Sequence, residues 1–171
     1  MSRIIVLVAA ALAVVGVVAT PASAHTLGLP TYSVSGVETG VPQDLADGSS
    51  SSPFAGTATS AIGGALWKAS VVHDALSNCT TTASHCTITG GAFKLVGLFS
   101  TVSGAFDSGG TITPLAAIGP CVDEQYDVRG TLTTTAGHAV FVARLTHFQV
   151  QVPLVGCVTY FATVTGTFGP P

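Results

Sequence analysis

Apolar and polar residues alternate with a period of two along most of this chain, and beyond residue 24 no apolar stripe recurs at helical spacing. The alternation is clearest near the C-terminus. Val158, Tyr160, Ala162, Val164 and Phe168 fall on one face, and Thr159, Thr163, Thr165 and Thr167 on the other. That pattern predicts a strand with one buried and one wet face. Residues 125–134 read as another strand, with Tyr126, Val128 and Leu132 inward, and Ala136-Gly137 closes a hairpin into residues 139–152. In that segment Phe141, Ala143 and Leu145 share one parity, whereas Phe148, Val150 and Val152 share the other, which predicts a β-bulge or sharp bend near Thr146-His147. Pro153-Leu154-Val155-Gly156 turns the chain into the last strand, so three strands form an antiparallel meander.

The first half is richer in glycine. Strands are predicted at 31–37, 54–62, 65–73, 87–89, 92–102 and 110–115, with Gly63-Gly64, Gly90-Gly91 and Asp107-Ser108-Gly109 as turns or bulges. Residues 38–53, with serine at each of positions 49 to 52, read as an exposed loop. About eight or nine strands in one domain imply an all-β fold, either a single antiparallel β-barrel or a two-sheet β-sandwich. Long strands punctuated by glycines and a bulge favour the barrel, because these are the devices by which sheets curl shut. The division expected along the chain is a leader over 1–24, an N-terminal strand and flexible Ser-rich loop over 25–53, and the main β domain over 54–171.

The leader accounts for part of the chain's 47% hydrophobic content. Arg3 precedes an apolar run over residues 4–19, Pro21 breaks it, and Ala22-Ser23-Ala24 supplies small residues for cleavage after Ala24. This is the pattern of a secretory signal peptide, too short for a membrane span. The expectation is a secreted, extracellular protein with no membrane attachment after cleavage. A single asparagine (Asn78) and only two lysines (Lys68 and Lys94) point to a GC-rich, bacterial source. In an oxidising compartment the four cysteines, Cys79, Cys86, Cys121 and Cys157, predict two disulfides, expected as Cys79–Cys86 and Cys121–Cys157. The gap between Cys79 and Cys86 is too wide for a zinc-binding pair.

The 171 residues carry 5 Lys+Arg and 8 Asp+Glu, a net charge of −3. So few cations exclude nucleic acid, whose binding depends on clustered Lys and Arg, and a polybasic membrane surface. Thr-x-Thr pairs recur, but without the constant repeat that a regular ice-binding face needs.

Catalytic candidates are His147 at the expected bulge, Tyr126 and Glu124, with Asp123 and the His73-Asp74 pair as further ionisable groups. The ordinary alternative for each is a rim histidine or an exposed loop carboxylate. Asp127 can pair across a hairpin with Arg144 or Arg129 as surface electrostatics. No G-x-S-x-G elbow and no phosphate-cradling glycine loop is found.

Cleavage would leave His25 at the N-terminus, where its α-amine and imidazole can chelate Cu(II), with His73, His85, His138 or His147 as second ligand. This arrangement resembles the histidine brace of lytic polysaccharide monooxygenases and of periplasmic copper carriers, and the resemblance implies copper oxidoreductase chemistry. It covers one residue and a fold class, and that family's aromatic-rich binding face is not evident here. The Thr/Ala/Gly/Val-rich composition, with Cys79-Thr80-Thr81, is also similar to the secreted apoproteins of enediyne chromophores, although the order and spacing of the cysteines differ.

The resulting expectation is a secreted, non-catalytic β-barrel binding or interaction module without a cofactor. Its partner is a small apolar molecule or a protein or glycan. The alternative is a secreted enzyme, either a copper-brace oxidoreductase built on His25 or a barrel-type isomerase or hydrolase.

Overall fold

The computed structural model describes residues 29–75, 85–98, 100–115 and 121–171. Its strands are β1 (Tyr32–Glu38), β2 (Gln43–Asp44), β3 (Ser50–Ser60), β4 (Gly63–His73), β5 (Cys86–Gly97), β6 (Thr101–Phe106), β7 (Gly110–Pro114), β8 (Glu124–Thr134), β9 (Gly137–Val152) and β10 (Gly156–Gly169). The described residues contain no helix. Eight strands close into an antiparallel barrel in the order β3-β4-β5-β6-β8-β9-β10-β1. Closure falls to β1, which pairs with β10 from Tyr32↔Phe168 to Val37↔Thr163 and with β3 from Ser33↔Thr59 to Glu38↔Phe54. A closed sheet leaves no free edge to template aggregation. The two extra strands are short. β2 flanks the start of β3, and β7 continues the position of β6 beyond Asp107-Ser108-Gly109, pairing with both β5 and β8.

The closing seam depends on two facing glycines. Gly36 pairs with Gly56, and Gly56 pairs with Trp67 on the next strand. A Cβ on Gly36 would lie 2.4 Å from Ala55 O, and one on Gly56 would lie 2.0 Å from Ser35 O, so neither position accepts a side chain. The Trp67 indole reaches across this bare backbone, and its Nε1–H donates to Ser35 O at 3.2 Å and Thr57 O at 3.0 Å. One aromatic ring thus ties β4 to the seam and satisfies its own polar atom, as a buried Trp must.

One end of the barrel is packed shut. Tyr32 stacks on Phe168 with centroids 5.9 Å apart, Phe93 meets Phe168 at 4.9 Å, and Leu29, Leu95, Val102, Leu132 and Ala139 fill the space around them. The other end is open. There β1 finishes, β3 and β8 begin, and the long β9–β10 hairpin runs past the rim.

Several expectations are corrected by pairing. Positions 49 to 52 are not an exposed serine run: β3 begins at Ser50, and Ser50 and Ser52 are buried. Strand pairing of Ser50 with His73 and of Ser52 with Val71 supplies the order that composition does not suggest. The segment expected as one strand over 92–102 folds back as a hairpin, with Gly97 N–H donating to Ser100 O at 2.9 Å. Thr89 and its glycine neighbours lie within β5, where the β4 register shifts between Val72 and His73.

The extra residue near the expected bulge lies on the partner strand. Pairing of β8 with β9 is unbroken through Glu124↔His147, so β9 is held in register and the shift falls between Thr159 and Phe161 of β10. Tyr160 is the unpaired residue and is 66% exposed, not on the buried face. The Cys121–Cys157 disulfide forms as expected, with a Cα–Cα distance of 5.2 Å. Cys86 is fully buried in β5, and Cys79 lies outside the described residues.

Candidate functional site: the barrel lumen and its mouth

The barrel encloses a cavity of about 620 Å³ that opens at the β1–β3 end. An eight-stranded barrel is narrow enough for large side chains to fill, or it holds one small ligand. Here inward positions on three strands carry small residues, Ala69 on β4, Ala143 on β9 and Ala162 on β10, and the space they leave is the cavity. Its wall is apolar, with Phe54, Val71, Phe106, Val128, Phe141 and Leu145, and Trp67, Phe93 and Phe168 form its floor. Phe106 meets Phe93 and Phe141 edge-to-face, with centroids 6.5 and 5.2 Å apart, which fixes the aromatic side of the wall.

Polar groups gather at the mouth. The chain has two glutamates, Glu38 and Glu124, and both line this cavity together with Ser52, His73, Tyr126 and His147. Each arrives by strand parity, since Glu38 follows Val34 and Gly36 on β1, Glu124 and Tyr126 precede Val128 on β8, and His147 follows Leu145 on β9. Glu124 stands opposite His147 across the β8–β9 ladder. The Tyr126 hydroxyl donates to Glu124 Oε2 at 2.8 Å, and the Tyr126 and His147 rings lie 5.3 Å apart. The His147 imidazole sits between the two carboxylates, with Nε2 3.9 Å from Glu38 Oε2 and Nδ1 3.9 Å from Glu124 Oε2. Those separations exceed hydrogen-bond reach, so both ring nitrogens keep capacity for a polar atom entering the lumen.

Deeper in, His73 is 3% exposed. Its Nδ1 lies 2.7 Å from Asp74 O, and because a carbonyl only accepts, Nδ1 carries a proton. Its Nε2 lies 3.1 Å from Ser52 Oγ, and Ser52 also hydrogen-bonds the Glu38 carboxylate. The serine has one proton to give, and its hydroxyl bridges the Glu38 and His73 side chains.

Burial sets the charge states. Desolvation raises the Glu38 carboxyl above its ordinary 4.5, and the Ser52 hydrogen bond offsets this in part. Burial lowers the His147 imidazole below 6.5 against a smaller upward pull from the Glu124 charge, so His147 is neutral at neutral pH. Burial raises the Tyr126 phenol well above its usual value, and the Glu124 hydrogen bond and charge add to this, so it stays a donor.

No protein-family model, curated protein or solved structure matches this chain. Of the residues singled out in the sequence, Glu124, Tyr126 and His147 come together at the mouth. Asp123 instead accepts from Gln149 N–H at 3.1 Å, Asp74 Oδ2 accepts from Thr87 N–H at 2.8 Å, and Asp127 pairs with Arg144 on the outer face at 2.8 Å. His138 is exposed at the packed end, and His85 is exposed just before β5. His25 lies outside the described residues, and among those described no group of three or more His, Cys, Asp or Glu is placed to hold a metal ion. Sequence reading missed Glu38 and Ser52, because both lay in the segment assigned to a loop. The available signal was the rarity of glutamate, since a chain with two of them directs both to one cavity.

Proposed function

We propose that this chain is a secreted, non-catalytic β-barrel module that holds a small apolar molecule in its lumen. The observation that carries this reading is the cavity of about 620 Å³, walled by aromatic and aliphatic side chains with a few convergent polar groups at its mouth. That size and lining match the usual anatomy of a small-molecule site. Export rests on the leader-like residues 1–24 and the even number of cysteines, and it supports a carrier or scavenger outside the cell.

Titration with a neutral, environment-sensitive dye such as Nile red tests the reading on two neighbouring substitutions. Ala143 faces the lumen and Val142, 44% exposed, faces outward. Ala143→Trp is expected to abolish a saturable fluorescence gain that Val142→Trp preserves. Absence of saturable binding, or equal loss in both variants, removes the lumen as the site. Native mass spectrometry of protein purified from culture medium adds the mass of any resident molecule and the position of the mature N-terminus.

A second reading, an isomerase or hydrolase using acid–base chemistry, is favoured by the convergence of Tyr126, Glu124 and His147 around one opening. Proton transfer needs such groups within reach of one substrate atom. Its support would be a resident molecule that the purified protein chemically converts and that His147→Gln leaves unconverted.

A further inference from the structure

We infer that the lumen selects an apolar molecule whose polar end donates hydrogen bonds and carries no negative charge, a hydroxyl or an ammonium and not a carboxylate. This rests on the lumen-binding reading and specifies its ligand. Five strands contribute polar side chains to the mouth. Glu38 comes from β1, Ser52 from β3, His73 from β4, Glu124 and Tyr126 from β8, and His147 from β9. No Lys or Arg is among the described residues lining the cavity, and of the described cations Arg144 is committed to Asp127, Arg129 is exposed on β8, and Lys68 and Lys94 line a separate groove. An anionic head would meet two carboxyl groups with no fixed cation to offset them. Such a charge, once desolvated, is costly unless paired.

Hydrogen-bonding capacity points the same way. The Tyr126 proton is already given to Glu124, and the single Ser52 proton is held within the Glu38–His73 link. Open acceptors are the remaining carboxylate lone pairs of Glu124, whose side chain is 42% exposed, and the unprotonated nitrogen of His147, against one open donor, the other His147 ring N–H. Glu124 keeps the mouth negative with His147 neutral.

Competition against lumen-bound Nile red by decanol, decylamine and decanoate near neutral pH tests this, since the three share one tail and differ in head group. Decanol and decylamine are expected to displace the dye at concentrations at least about ten-fold below decanoate, an effect of the order set by close charges at a protein surface. In Glu38→Gln/Glu124→Gln the handicap of decanoate is expected to shrink. The Glu124→Gln single variant serves the same comparison if the double variant does not fold. Displacement by decanoate equal to or better than decanol overturns the charge selectivity while leaving the lumen reading intact. No displacement by any of the three, with no saturable dye binding, removes the lumen reading and this inference with it.

Discussion

Glu124 and His147 face each other directly across the β8–β9 ladder, with Glu124 Oε2 3.9 Å from His147 Nδ1. Directly opposed cross-strand residues are held as near neighbours by the backbone itself. Their coupling is therefore a property of the barrel wall and measurable without any ligand. The His147 imidazole is expected to titrate below the unperturbed 6.5, and Glu124→Gln to lower it further by removing the upward pull of the Glu124 charge while burial remains. Histidine ring-proton NMR across a pH series reads both shifts. An upward movement in Glu124→Gln contradicts the arrangement.

Glu38 imposes the opposite pH dependence on stability. Its folded pKa is raised above 4.5, so its contribution is fully present below 4.5 and is lost as pH rises through the raised value. A neutral isostere avoids that loss. Glu38→Gln is expected to melt at a higher temperature than the parent at neutral pH, with the difference closing below pH 4.5. His147 acts with the other sign: its folded pKa is lowered, so stability falls as pH drops below 6.5 and the unfolded chain takes the proton first. Thermal melts of the parent, Glu38→Gln and His147→Gln over this range separate the two, and parallel curves for all three refute the assignment.

Gly56→Ala tests the closing seam. Its Cβ would be forced to 2.0 Å from Ser35 O, and the obstacle is backbone, which cannot rotate aside. Overpacking of this kind costs about 1–3 kcal/mol or more. Urea unfolding should show at least that loss. Faster amide exchange should be confined to the β1–β3 ladder, while Gly64→Ala, with no atom nearer than 3.9 Å, should leave the seam protected.

The Cys121–Cys157 disulfide ties the segment entering β8, which carries Glu124, to the start of β10. With a sequence separation of 36, loop-closure entropy alone makes its removal worth about 4 kcal/mol. Cys121→Ser/Cys157→Ser is expected to lose roughly 2–4 kcal/mol in chemical denaturation, and its dye affinity should fall with the looser mouth. Unchanged stability would place the bridge outside the cooperative unit.

Strand identity was legible because alternation is local. Val128, Leu132, Phe141, Ala143 and Leu145 each point where period-two parity assigns them, and the Ala136-Gly137 and Pro153–Gly156 turns join the expected strands. The legible part of the site was the set of groups in clearly patterned strands, Glu124, Tyr126 and His147. Glu38 and Ser52 were hidden in a polar, serine-rich stretch, because a side chain that faces a polar mouth leaves no apolar mark on the sequence.

Sequence alone thus determined an all-β chain and the parity of its main strands, and the Cys121–Cys157 pairing it led one to expect is present in the structure. Tertiary structure decided the rest. Barrel and sandwich share the same alternation, and only the double pairing of β1 with β3 and β10 closes the sheet. That closure turns Ala69, Ala143 and Ala162 from three unremarkable small residues into one cavity, because empty volume belongs to opposite walls at once and to no single strand. It likewise brings the chain's two glutamates, far apart in sequence, to either side of one imidazole.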